Sequence, residues 1–150
     1  GNMKFMMNGA LSIGTLDGAN VEIREEVGAE NFFLFGLRAE QVQRAQHEGY
    51  RPANHVAAND ELRDALDLIG SGHFSHGDRD VFRPLVENLM QWDHFLVLAD
   101  FADSKACQTR VDAAWQEPAR WTRMSILNTA RSGKFSSDRA IREYGERIWA

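Results

Sequence analysis

"ALSIGTLDGANVEIREEVGAENFFLFG", residues 10–36, decides the fold. Two short apolar segments flank a polar middle, and the middle can be read two ways. Asp17-Gly18 between β-prone residues is a strong hairpin signal, because both positions of a tight two-residue turn favour positive φ. Ala19 to Val27 also reads as a helix, with Ile23 and Val27 four residues apart on one face and Gly28 to end it. The first reading gives an antiparallel hairpin and the second gives strand, helix, strand. Local pattern alone leaves the two even. The segment "NFFLFG" at 31–36 is a dense aromatic run closed by Gly36. It is apolar on both faces, as a strand covered on both sides of a parallel sheet would be.

Outward from this stretch the signals become helical. "RAEQVQRAQHEGY" (38–50) reads as a helix closed by Gly49, which continues the alternation expected of an α/β chain. "NDELRDALDLIGSG" carries Leu62, Leu66 and Ile69 on one face, and "DVFRPLVENLMQW" has Pro84 near its start, where proline is tolerated. A long helix is expected from about Asp100 to Gln116, another from Pro118 to Gly133, and a last one capped by Ser137 or Asp138 with Ile141, Tyr144 and Ile148 on one face. "FLVLAD" at 95–100 is the best candidate for a further strand. In the other direction, "GNMKFMMNG" (1–9) suggests Asn2 as an N-cap, a short helix from Met3 to Asn8, and Gly9 as its left-handed end. Few strands and many helices result. A two-stranded sheet is marginal in water, so the strands are expected to belong to a larger sheet.

Composition sets outer limits. The chain has 150 residues, enough for one domain that buries roughly 70% of its unfolded surface. Its net charge is −5 with the signs interspersed, which is not the clustered basic footprint of a nucleic-acid binder. There is no apolar run long enough to span a membrane and no signal-peptide pattern. Cys107 is the only cysteine, so no internal disulfide can form. A cytoplasmic protein that binds neither nucleic acid nor membrane fits these features.

Several nominal motifs fail. Gly133-Lys134 lacks the Walker pattern because Asn128 and Phe135 stand where Gly and Ser or Thr are needed. Gly70-Ser71-Gly72 follows a helix where a dinucleotide fingerprint follows a strand. His47, His55, His73, His76 and His94 have no converging partners of the kind a metal site needs, so no metal site is assigned. Cys107 and the tryptophans Trp92, Trp115, Trp121 and Trp149 read as packing residues. Lys4 stands apart. A lysine in the first turn of a helix meets the positive end of the dipole at a cost of about 0.3–1 kcal/mol, and its bland reading is an exposed side chain at a frayed end. The sharper reading is chemical: desolvation, nearby cations and a helix N-terminus lower a lysine pKa, and such an amine can form a Schiff base with an aldehyde cofactor.

"GNMKFMMNGALSIGTLDGANVEIREEVGAENFFLFG" resembles the pyridoxal-phosphate segment of the α-glucan phosphorylases, the glycogen, starch and maltodextrin phosphorylase family. "EPARWTRMSILNTARSGKFSSDRAIREYGERIW" resembles the C-terminal end of the same family, and the likeness is looser over 49–93. The resemblance implies a mostly helical portion of the Rossmann-like, C-terminal domain of a glycosyltransferase-B fold, with a small parallel sheet. It resolves Asp17-Gly18 to strand-then-helix. It implies that Lys4 holds pyridoxal 5'-phosphate, with Gly1 in the same cofactor-binding motif, and that Lys4 is a tether, leaving no other catalytic residue in the chain. The implied reaction is reversible attack of inorganic phosphate on the non-reducing end of an α-1,4-glucan, releasing glucose 1-phosphate. Residues 1–150 are then expected to be part of the cofactor-side domain, without the N-terminal domain and inactive alone. A sheet edge left unpaired would suit a homo-oligomer. The alternative is a standalone helical scaffold or binding module in which Lys4 is incidental.

Overall fold

Residues 10–36 fold as strand, helix, parallel strand. In the computed structural model, which describes residues 1–149, β1 (Ser12–Gly14) pairs in parallel with β2 (Phe32–Leu34), with Ser12 opposite Phe32 and Gly14 opposite Leu34. Helix α2 (Ala19–Val27) connects them, followed by a single 3-10 turn at Ala29–Asn31. The Asp17-Gly18 turn therefore opens a helix: the carbonyls of Asp17 and Gly18 accept from the N–H groups of Asn20 (3.0 Å) and Val21 (3.3 Å). Gly18 has φ +47°, a conformation that β-carbon sterics disfavour in other residues. At Gly14 the constraint is space, because a β-carbon there would lie 2.6 Å from Nδ2 of Asn20.

The remaining helices are α1 (Asn2–Met7), α3 (Ala39–His47), α4 (Pro52–Ala58), α5 (Asp60–Gly70), α6 (Arg83–Gln91), α7 (Val97–Trp115), α8 (Pro118–Ala130) and α9 (Ser137–Arg147). Among the described residues the sheet has two strands, so the chain is a mostly helical α/β structure. The chain divides into two units, Gly1–Phe35 with the chain from Ala106 onward, and Gly36–Lys105.

The core of the first unit lies on both faces of β2. Side chains alternate along a strand, so Phe32 joins Met6, Ile23 and Val27 while Phe33 joins Cys107, Ala114 and Met124. The aromatic run is thus covered on both sides, as its double-sided apolarity requires. Three cations from the later segment hold the earlier one. Arg131 donates to the carbonyls of Glu26 (3.0 Å) and Val27 (2.9 Å), which the end of α2 leaves without helical partners. Arg110 donates to the carbonyl of Leu34 at 2.6 Å, and Lys134 pairs with Glu26 at 2.8 Å.

The second unit is built on Leu62, Leu66 and Leu98, with Val56, Leu89, Met90 and Phe101 packed around them. Asn59 caps α5 by accepting from Leu62 N–H at 3.1 Å. Asp93 does the same for α7, accepting from the N–H groups of Val97 (2.8 Å) and Leu98 (2.9 Å).

That cap overturns one expectation. Residues 95–100 are no strand: α7 begins at Val97, and Leu96 before it has φ +54°. The β-prone residues there were outweighed by a carboxylate placed to start a helix. Asn2 is not the cap of α1 either. The helix begins after Gly1, and the Asn2 side chain donates to Oδ1 of Asn20 at 2.8 Å instead. Helix α4 has no counterpart in the sequence reading, although Pro52 at its first turn is a recognised start signal. The tryptophans are not uniformly packed: Trp92, Trp115 and Trp149 are exposed, and only Trp121 joins a core cluster, with Trp115 against its edge.

Candidate cofactor site at Lys4

Helix α1 is a short platform. The Gly1 carbonyl accepts from the N–H groups of Lys4 (3.0 Å) and Phe5 (3.2 Å), and Asn8 Nδ2 donates to the carbonyl of Lys4 at 2.7 Å. Met6, wholly buried, and Met3 anchor the helix in the first core cluster. The amide of Asn2 joins α1 to the turn after β1, because Asn20, its acceptor, donates in turn to the carbonyl of Thr15 at 3.0 Å. A chain of two amides thus fixes the start of α1 relative to the start of α2.

Lys4 projects from this platform into solvent, and its ammonium group has no hydrogen-bond or ion-pair partner among the described residues. The chain's other two lysines are engaged, Lys105 with Glu61 and Lys134 with Glu26. Contact with Glu26 also raises the Lys134 pKa. A groove of about 220 Å³ lies between α1 and β1, lined by Asn2, Phe5, Ala10, Leu11, Ser12 and Ile13. Lys4 is not among its lining residues, so the structure does not bring the amine and the groove together. Gly1 is exposed, and a β-carbon there would meet only the Phe5 ring at 3.9 Å, so the described residues leave room for one.

These features test the fit of an aldehyde cofactor bearing a phosphate. A free, accessible primary amine suits the aldehyde end. The phosphate end needs fixed cations or a cluster of backbone donors, and α1 contributes to it the first N–H groups of a six-residue helix. The residues present fit the tethering half of the group. Elsewhere the candidates of the sequence resolve to packing. Cys107 is buried in the core around Phe33, and no cluster of His, Cys, Asp and Glu among the described residues could hold a metal ion. His55 and His94 lie against the aromatic rings of Tyr50 and Trp92. None of the helices, among the described residues, is long and apolar enough to cross a membrane.

One constellation escaped the sequence. The Tyr50 hydroxyl donates to Asp93 Oδ2 at 2.6 Å across 43 positions of sequence. Burial, then the hydrogen bond to Asp93, push the Tyr50 pKa well above its ordinary value. No local pattern announces a pair so far apart.

The model of the carbohydrate phosphorylase family matches residues 1–150. The chain is 59% identical to the glycogen phosphorylase of Synechocystis sp. over 150 residues, which is 100% of this chain and 18% of that protein. It is 52% identical to the muscle form of glycogen phosphorylase from Ovis aries and 50% identical to that from Homo sapiens, each over 149 residues, 99% of this chain and 18% of the relative. The chain therefore spans less than a fifth of the length of these relatives.

Proposed function

The chain belongs to the carbohydrate phosphorylase family, and from that premise we propose that it forms part of the cofactor-side, C-terminal domain of an α-glucan phosphorylase. The observation that carries the proposal is the family match over the full chain, with the motif lysine, Lys4, standing accessible and unpaired on a helix that Met3 and Met6 anchor. In this reading the whole enzyme uses inorganic phosphate to release glucose 1-phosphate from the non-reducing end of an α-1,4-glucan. Lys4 holds pyridoxal 5'-phosphate through its amine, and Gly1 lies in the same binding motif. When bound, the cofactor would supply a phosphate group able to exchange a proton with the substrate phosphate.

The chain's own part is to position. Met3 and Met6 fasten α1 to the core, and the Asn2–Asn20–Thr15 links set its start, so the Lys4 backbone is fixed while its side chain remains free. Holding a reacting group in place accounts for much of an enzyme's rate advantage, and a tether contributes in this way without taking part in bond making. A cytoplasmic location goes with the same reading, and a homo-oligomeric assembly is compatible with it.

Lys4→Ala in the full-length protein tests the assignment. Stoichiometric cofactor should be lost, and with it nearly all glucose 1-phosphate formation. Near-normal activity of that variant, without any added amine, would show that Lys4 is not the tether.

A further inference from the structure

Gly14 ends β1 with its backbone held in place. It lies opposite Leu34 in the parallel pair, and its carbonyl accepts from the N–H of Phe35 at 3.2 Å. Its φ is not positive, so the glycine is not explained by backbone conformation. It is explained by what occupies the space of its missing side chain. A β-carbon at Gly14 would lie 2.6 Å from Nδ2 of Asn20, and the next nearest atoms, at 3.5 and 3.9 Å, belong to the same amide. Both ends of that amide are engaged in this seat. Nδ2 donates to the Thr15 carbonyl at 3.0 Å, and Oδ1 accepts from Nδ2 of Asn2 at 2.8 Å. Reversing the amide would set oxygen against oxygen at one end and nitrogen against nitrogen at the other, so one orientation satisfies both partners.

Asn2 carries this constraint into α1. A six-residue helix is too short to be stable by itself, so its orientation comes from its contacts. Met3 and Met6, three positions apart, share the face turned to the core. Methionine side chains are flexible and adapt to irregular space, so their burial presses the helix against the core without setting its rotation. A hydrogen bond is directional, and the bond from Asn2 to Asn20 supplies the direction that the methionines lack. Lys4 stands two positions beyond Asn2, and its side chain points wherever that rotation sends it. We propose that Gly14 is a positioning residue for Lys4: the empty space above its Cα seats the Asn20 amide, and through Asn20 and Asn2 it sets the rotation of α1. The role of the amine so directed rests on the phosphorylase reading.

The test compares Gly14→Ala, Asn20→Ala, the double variant and Asn2→Ala in the full-length protein. The methyl of Gly14→Ala meets the end of an adjustable side chain, so the denaturation midpoint of the apoprotein should barely move while the amide is displaced. Hydrogen exchange at the N–H groups of Lys4 and Phe5 should quicken in the apoprotein. In the holoenzyme, kcat should fall about two- to tenfold, the weight of one hydrogen bond, with KM for glycogen unchanged and the circular dichroism of the cofactor's absorption band altered. The double variant should match Asn20→Ala alone, because without the amide the methyl displaces nothing. Losses that multiply in the double variant would overturn the proposal, and so would wild-type exchange, kcat and cofactor dichroism in Gly14→Ala. Should Asn20→Ala fail to fold, Asn2→Ala decides, since Asn2 is exposed and its loss cuts only the last link. It should reproduce the Gly14→Ala effects, and wild-type values there would overturn the proposal as well. A wild-type protein that binds no cofactor and forms no glucose 1-phosphate would refute the phosphorylase reading itself, a separate outcome.

Discussion

At the residue scale, the carboxylates near the start of α7 do two opposite things. Asp93 stabilises, because every hydrogen bond it accepts matches its charge. Asp100 accepts the N–H of Leu37 at 2.8 Å, and burial raises its pKa, opposed by that bond and reinforced by the charges of Asp103 and Asp93. A carboxyl whose pKa is higher folded than unfolded binds more protons in the folded state. Stability is therefore lost as pH rises from the unfolded value of about 3.9 through the folded one. Asp100→Asn keeps an oxygen to accept from Leu37 and removes the charge. It should raise the denaturation midpoint at pH 7, with the advantage shrinking as pH falls through the raised folded pKa and gone below about pH 4, where the wild-type carboxyl is protonated in both states. Urea melts of the two proteins at both pH values check this; a variant less stable at pH 7 would show that the charge-assisted bond to Leu37 outweighs the burial cost. None of this was legible in the sequence, where Asp93 and Asp100 are two of many carboxylates. Lys4, by contrast, was singled out by the residues around it and not by any property of its own.

At the element scale, the strand–helix–strand arrangement of residues 12–34 depends on groups more than 100 positions away. The sequence shows why Phe32 and Phe33 need cover on both faces, since the aromatic run is apolar at every position. It does not show all that satisfies the end of α2, because beside the nearby Asn31 amide on Val27 (2.8 Å) the donor to Glu26 and Val27 is Arg131, just past the end of α8. Arg131→Ala removes two charge-assisted hydrogen bonds to carbonyls of Glu26 and Val27 and should cost about 1.5–3 kcal/mol. Hydrogen exchange should quicken in the last turn of α2 and in the following 3-10 turn, while α5 and α6 keep their protection. Equal loosening of α5 would mean that the two clusters of the chain unfold as one body. The misreading of residues 95–100 has the same origin: Val, Leu and Phe favour a strand, but Asp93 two residues upstream supplies the acceptor that starts a helix. Tertiary contact decides where local preference is weak.

At the scale of the molecule, the site proposed at Lys4 has the tethering half of what a phosphate-bearing aldehyde needs, and its energetics predict what the 150 residues can do by themselves. They should neither phosphorolyse glucan nor retain pyridoxal phosphate tightly. Lys4 lies on a six-residue helix close to the chain start, and its side chain is exposed, so a covalent link formed there is open to water and reversible. The cofactor phosphate requires fixed cations or several convergent donors. The start of α1 can favour an anion by roughly 1 kcal/mol, whereas micromolar affinity requires about 8 kcal/mol. The other lysines are poor competitors, because Lys105 and Lys134 are held in ion pairs with Glu61 and Glu26. Borohydride reduction after incubation of the 150-residue chain with cofactor, followed by peptide mass spectrometry, measures the outcome. Substoichiometric labelling is expected, with Lys4 ahead of Lys105 and Lys134 only to the extent that it is free of a partner. Stoichiometric labelling confined to Lys4 at micromolar cofactor would show that the groove beside α1 and the residues around it already form a complete site.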